Sequence, residues 1–544
     1  MRRASLLALS LAACSPAPST PDSSAPDSSL PDSSLPDSSL PDSSAPDSSL
    51  LDSSLPDSSL PDSSLPDSSL PDAGCVEPAS ALYVAPSGAD TNDGSATRPF
   101  ATINRAVSAA TAGTTILVAA GTYRELVVLS RSGAPSSPIT LRARCGARPV
   151  IDGTGLGRGT AAPALVRIES QSWLTVQGFE LRGLAGMGGN FPAGIWVRGA
   201  STNITLRDNL VHSISAEGGG ATSGAHGIAV YGTSSTPAED ITLENNELRS
   251  LVLGPSEALV INGNVRRFTV RGNSVHDANN IAYDFIGFEP DICASCVQTD
   301  TMDAPNVNRV RDGLVVDNLA FNISSARNPA YMGEKAAGCF YVDGGARIVI
   351  ERNRAHHCDL GVELASEHFG LSTRAVTVRN NLLWLNDVVG IATGGYDPGN
   401  GAGGGSARDC VIVHNTIVDS SRSGWANTGV LLQNRNVNNS YASNIIVATT
   451  GHAALDVGGT MNSGNTVDYN LVQGGAVQGV TAGAHQVTGD PLFVDRAMAD
   501  FHLRMGSPAI DRAAAHDPAR DGATDFDGRP RSSGASPDIG ALER

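Results

Sequence analysis

Apolar and polar residues alternate in short runs along most of this chain. Ile204-Thr-Leu-Arg, Ile241-Thr-Leu-Glu, Phe268-Thr-Val-Arg and Ile348-Val-Ile-Glu each put every second side chain on one apolar face, the period of a β-strand. Each run leads into an asparagine, giving the series Asn209, Asn246, Asn273, Asn318, Asn353, Asn381, Asn415 and Asn444. A strand led by a small residue comes before each run and a third short apolar strand after it. The asparagines recur about every 26 to 45 residues. Units this short cannot bury an apolar face singly, so they must stack. The predicted fold is all-β: a right-handed single-stranded parallel β-helix solenoid with side chains filling its interior. The asparagine is expected to take the left-handed backbone of a tight corner and to hydrogen-bond up the array.

Three stretches carry a family resemblance. They are Tyr83-Val-Ala-Pro-Ser-Gly-Ala-Asp90 with Pro99-Phe-Ala-Thr-Ile, Gly121-Thr-Tyr-Arg-Glu125, and the tail Gly506-Ser-Pro-Ala-Ile-Asp511 to Pro537-Asp-Ile-Gly-Ala-Leu-Glu543. With them the chain resembles the right-handed parallel β-helix superfamily of pectate lyases and related polysaccharide lyases and glycosidases, over about residues 80–544. The resemblance implies an N-terminal capping helix in the Ala-rich segment Thr102–Ala112. It specifies fold far better than activity.

The N-terminus reads differently. Arg2 and Arg3 precede an apolar stretch ending Leu11-Ala12-Ala13-Cys14, the form of an export signal. That ending resembles a bacterial lipobox, which implies lipidation of Cys14. From Pro21 to Asp72 the chain repeats Pro-Asp-Ser-Ser-(Leu/Ala), a composition with no capacity to form a core and hence a disordered tether. The expected division is 1–13 signal peptide, 14–74 lipidated cysteine and tether, 75–153 N-terminal cap and first coils, 154–475 β-helix repeats, and 476–544 C-terminal coil or cap segment. The expected location is the cell envelope, lipid-anchored at the outer membrane surface, or secreted. Contact with a membrane would come through the lipid alone, and a monomer is expected.

Charge narrows the partners. The net charge of −18, from 37 basic and 55 acidic residues, argues against nucleic acid. Of the acidic residues, 11 lie in the tether. Export permits disulfides, with Cys75–Cys145, Cys293–Cys296 and Cys339–Cys358 as candidate pairs and Cys410 left over.

Aligning the first strand of each unit on its leading small residue assigns alternate positions outward. The outward set reads Trp196, Arg198, Tyr231, Asn262, Asp284, Phe340 and Glu363, with Asp343 just past its strand. Carboxylates stacked about 4.8 Å apart repel, so protons or a cation must sit among them. Asp284, Asp343 and Glu363 are therefore the candidate metal set, with Ca²⁺ the expected ion. Two long segments, 285–311 and 324–337, form a wall nearby. Lys335, the only lysine beside 36 arginines, is a candidate base, because lysine serves so in several families that the fold resembles. Asp343, Glu363 and His368 complete the catalytic candidates. Trp196, Arg198, Tyr231, Asn262 and Tyr331 are substrate candidates, with Trp384 and Tyr396 as further sugar platforms. His276 and His356 read as solenoid residues of the third strand.

The expected function is a surface-anchored, polysaccharide-active protein: a Ca²⁺-dependent lyase cleaving uronic-acid chains by β-elimination. A glycoside hydrolase using paired carboxylates, and a non-catalytic carbohydrate-binding surface protein, stand as the alternatives.

Overall fold

The computed structural model describes residues 74–157, 162–531 and 533–544. The signal segment, Cys14 and the repeat tether lie outside the described residues. Short strands wind into a right-handed parallel β-helix of three sheets. Among the described residues these hold 12, 16 and 13 strands, and every pairing within them is parallel. One coil shows the plan. Ala193–Arg198 belongs to what we call the front sheet, Thr202–Arg207 to the side sheet and Leu210–His212 to the back sheet. Alternate residues point inward and stack in register. At one level of the front sheet the interior column runs Ile195, Ile228, Leu259, Tyr283, Phe340 and Val362. All are buried.

The corner between the side and back sheets carries the asparagine ladder. From Asn209 to Asn470, each Nδ2 donates to Oδ1 of the next asparagine at 2.9–3.0 Å. The left-handed residue is not the ladder asparagine, as the sequence suggested, but the one before it. Asp208, Asn245, Asp317, Arg352 and Asn380 all have φ between 52° and 58°. Their turn aims the following asparagine into the interior, where its amide satisfies backbone groups of the adjacent coils.

The helix over Ile103–Ala109 caps the N-terminal end. Thr102 accepts from the Arg105 N–H, and Ile103, Ala106 and Val107 are buried beneath it. The Cys75–Cys145, Cys293–Cys296 and Cys339–Cys358 disulfides are all formed, and Cys410 is a buried free thiol.

The winding continues to Val487–Thr488. The chain then runs back along the solenoid through an antiparallel hairpin, Phe493–Asp495 with Asp500–Leu503. Phe493, Phe501, Leu503, Ile539 and Leu542 pack on Leu382, Val418, Ile445, Val447 and Leu471 of the back sheet and its corner. This segment bonds to successive coils: Asn380 Nδ2 donates to Asp521 O, the Ala541 N–H to Thr416 Oγ1 and the Gly540 N–H to Ser443 O, at 2.9–3.0 Å.

Candidate active site on the front sheet

The outward face of the front sheet gathers six carboxylates. In one rank, strand register places Val260, Asp284, Tyr341 and Glu363 side by side. Asp343 ends the strand Gly338–Asp343 and pairs with Ala365, so it sits diagonally to both Asp284 and Glu363. The residue after it, Gly344, turns the chain at φ 74°, and a Cβ there would meet the Phe288 ring at 2.6 Å. Asp343 Oδ1 accepts from the Glu367 backbone N–H at 2.9 Å. Tyr341 Oη donates to Glu367 Oε1 at 3.4 Å. Glu257 and Glu289 join from the segments flanking the next coils.

Two braced segments wall this face. In the first, the buried Arg309 guanidinium lies over Phe288 and donates to the carbonyls of Gly344, Asp300 and Ser372. The Cys293–Cys296 disulfide closes a turn in the same segment. In the second, Asp359 accepts from Ser324 Oγ and from the N–H groups of Ser325 and Ala337 at 2.7–3.1 Å. Tyr331 Oη accepts from Asn280 Nδ2 at 3.1 Å.

Crowding moves the protons. Burial, with help from neighbouring carboxylates, raises Glu257 and Glu367 to about 8. Burial raises Glu363 to about 7, against a hydrogen bond from Gln433 that favours its ionised form. Asp284 and Asp343 are pushed far above the usual carboxylate range, by burial first and by their acidic neighbours second. Asp284 is 2 % exposed and its Oδ1 has no partner; Asn262, diagonal to it, is 4 % exposed with Oδ1 also unpartnered. Among the described residues, no lysine or arginine pairs with any of the six carboxylates. The histidines nearby are His226, 3.7 Å from Glu257, and His368, 3.4 Å from Glu289. Upward-shifted acids gathered on one face can take part in proton transfer.

Residues 82–247 match the model of the Pel9A-like right-handed β-helix region, and residues 193–402 match that of the right-handed β-helix region. The uncharacterized protein YwoF of Bacillus subtilis is 35% identical over 452 residues, covering 79% of this chain and 92% of its own. The chain belongs to one family with YwoF, and its Pel9A-like region is confined to residues 82–247. A second relative, pectate lyase PEL9 of Emericella nidulans, is 32% identical over 156 residues, 26% of this chain and 36% of that one. The crystal structure of pectate lyase Pel9A aligns at 15% identity and a TM-score of 0.46, over 86% of this chain and 97% of that one.

Within this right-handed β-helix the sequence candidates separate into groups. Asp284, Asp343 and Glu363 do share the front face, with His368, Tyr331 and Asn262 around them. Among the described residues, however, no three His, Cys, Asp or Glu side chains stand close enough to hold a metal ion. Phe340 faces the interior, stacked on Tyr283 at 4.7 Å, and Tyr341 faces out in its place. Its unit starts at Cys339 rather than Gly338, and a one-residue shift reverses every side chain of a strand. Lys335 lies away from the carboxylates: Nζ is 2.5 Å from Asp387 Oδ2 and 2.7 Å from Ser423 Oγ.

Trp196 faces outward but is only 5 % exposed. Arg167, Arg198, His226 and Tyr231 pack on its ring, so it cannot offer an open platform. Trp384 stacks on His356, which follows Phe321 and His276 in a column of rings up the back sheet. Tyr396 stands by the cluster, where Glu367, Asp343 and Glu363 add to the rise in its pKa that burial begins.

Sequence reasoning missed His226 and the part played by Glu257. Both stand one residue before the small residue used for the alignment, where strict alternation assigns the interior, so the outward set passed over them although His226 meets the outward Trp196 and Tyr231. His226 is buried and neutral, pushed to about 4 by burial, with Tyr231 Oη 3.0 Å from Nε2.

Proposed function

We propose that this protein cleaves glycosidic bonds of a polysaccharide at the front-sheet carboxylate cluster, by acid–base hydrolysis. The supporting observation is the set of buried, proton-retaining carboxyls with no arginine or lysine set against them. Glu363, which burial raises to about 7, is assigned as general base toward water. Glu367, at about 8 and contacting Tyr341 Oη, keeps its proton near neutral pH and is assigned as general acid toward the leaving oxygen. Two neighbouring carboxyls, one ionised and one protonated, can divide these roles. Asp343 positions Glu367 through the backbone bond to its N–H. The relative named as a pectate lyase supports a polysaccharide as the substrate class.

The second reading is Ca²⁺-dependent β-elimination on uronic-acid chains. It is favoured by the unpartnered oxygens Asp284 Oδ1, Asn262 Oδ1 and Glu367 Oε2, which are hard donors of the kind calcium takes. The spacing of the side chains does not close around an ion, and Lys335 is engaged elsewhere, so hydrolysis is preferred. The test is reducing-end release and unsaturated-product absorbance on neutral, amino-sugar and uronate polymers, with EDTA or with Ca²⁺. Hydrolysis requires new reducing ends in EDTA without the unsaturated chromophore, lost in Glu363→Gln and in Glu367→Gln and kept in Lys335→Ala. A Ca²⁺-dependent chromophore would replace it with elimination.

We further propose a lipid anchor at Cys14 that holds the domain at the cell envelope on its Pro-Asp-Ser-Ser tether. Fatty-acid labelling that persists in Cys14→Ser would overturn this.

A further inference from the structure

We infer that the carboxylate face of the front sheet is built to receive positive charge from its ligand, and that its substrate class is an amino-sugar polymer presenting free ammonium groups. The inference rests on the hydrolytic reading above and adds the substrate to it.

On the side sheet and its corners, several acids are matched by arginines from adjacent coils. Asp240 meets Arg267, Asp312 meets Arg347, Asp317 meets Arg352 and Glu351 meets Arg379, at 2.5–2.9 Å. The front face departs from that pattern. Glu257, Asp284, Glu289, Asp343, Glu363 and Glu367 share it with no arginine or lysine partner among the described residues. His226 stays neutral, and the other histidine at this face, His368, lies against Glu289 at 3.4 Å.

A second, independent observation concerns hydrogen bonding. Asn262 is an uncharged residue outside the acidic set. It is 4 % exposed, and its Oδ1 has no donor. Asp284 Oδ1, diagonal to it on the next coil, has none either. Buried acceptors without donors are costly and call for a ligand that brings N–H or O–H groups. An ammonium brings three donors and a charge. It donates to oxygens at about 2.8–3.0 Å, a looser demand than a metal shell at about 2.3–2.6 Å, which suits a face where, among the described residues, no three acidic side chains close around an ion. A polyuronate would add like charge to this face and gain nothing from it.

Before binding, protons neutralise the cluster. An arriving ammonium replaces them, so binding must release protons to the buffer. The groups facing Asp284 are Glu257, Asp343, Glu367 and the phenol of Tyr331, and the carboxyls among them supply those protons.

The experiment is titration calorimetry of the full chain in EDTA at pH 6, in two buffers of different ionisation enthalpy. The ligands are a glucosamine hexamer and its fully N-acetylated counterpart. The expected result is at least tenfold tighter binding of the amine form, proton release, and a tenfold or greater loss in Asp284→Asn. Asn262→Leu, which leaves every charge in place, should weaken the amine form by a smaller factor. Equal or tighter binding of the acetylated hexamer, or no binding of the amine, overturns the inference. So does proton release with Ca²⁺ alone and none with the amine. If neutral polymers are cut while the amine is ignored, this inference falls and hydrolysis stands. If the amine binds but reducing ends never appear from any polymer, hydrolysis falls and the charge preference stands.

Discussion

Replacing Glu363 by glutamine removes one titrating proton from the cluster with little change of shape. In the folded protein this carboxyl ionises at about 7, whereas in the unfolded chain it ionises near the ordinary value of about 4.3. Each unit of difference corresponds to about 1.4 kcal/mol. The full displacement would amount to nearly 4 kcal/mol, and solvent reaching the partly exposed side chain reduces this to about 2 to 3 kcal/mol. The sign follows from which state holds the proton. Below about pH 4 both states are protonated and the contribution is fully present. Between there and about 7 the unfolded chain has released its proton and the folded one has not, so stability falls as pH rises. Above 7 both have lost it and this contribution is level. The Glu363→Gln protein lacks this part of the slope and keeps that of Glu257 and Glu367, which hold their protons to about 8. Urea unfolding of both proteins at pH 4.5, 6 and 8, followed by far-ultraviolet circular dichroism, should show the wild type losing about 2 to 3 kcal/mol relative to the variant across that range. Parallel stability curves, or a wild type that gains on the variant as pH rises, would refute the assignment of a proton-retaining acid at this position.

Other perturbations test the frame around the site. Asn318→Ala deletes the amide that donates to Val270 O and Asn353 Oδ1 and accepts from the Asn273 N–H and Nδ2; at about 1 kcal/mol per bond the loss should be roughly 4 kcal/mol in the same unfolding assay. A Cβ on Gly313 would stand 2.0 Å from the Phe268 ring, so Gly313→Ala should cost about 1 to 3 kcal/mol, and Phe268→Leu beside it should recover part of that. Asp521 is buried, with Arg520 bonded to it and His414 and His516 nearby. These partners depress its pKa against the opposing effect of burial, so its contribution is present above about pH 4 and is lost as pH falls; Asp521→Asn should flatten the acid limb of the stability curve.

The solenoid was legible because its signals are local and repeated. Alternation at period 2 assigns interior columns such as Ile204, Ile241 and Phe268, and the recurring asparagine marks one corner of every coil. The capping helix, found at Ile103–Ala109, was expected from the family resemblance instead. What failed depended on counting or on distance. A reading that began the unit at Gly338 instead of Cys339 exchanged Phe340 for Tyr341. The corner was placed one residue late, because asparagine tolerates the left-handed region and hid the fact that Asp208 or Arg352 occupies it. The acidic face was seen through its strand residues, Asp284 and Glu363. Glu257, Glu289 and Glu367 enter from turns whose course no periodicity describes. Lys335 drew notice as a solitary lysine, yet its environment is set by Asp387, which lies 52 residues further on.

The returning C-terminal segment changes how such a molecule can come apart. In an array held by neighbour contacts alone, an end coil can fray while the rest stays wound. Here one stretch of chain is laid across the corners at Asn380, Thr416 and Ser443, and its aromatic residues cover the sheet between them. Peeling the last coil means first lifting this strap from the coils before it. The C-terminal third should therefore open in a single cooperative step, and hydrogen exchange there should report one opening energy where an unstrapped array would show a gradient.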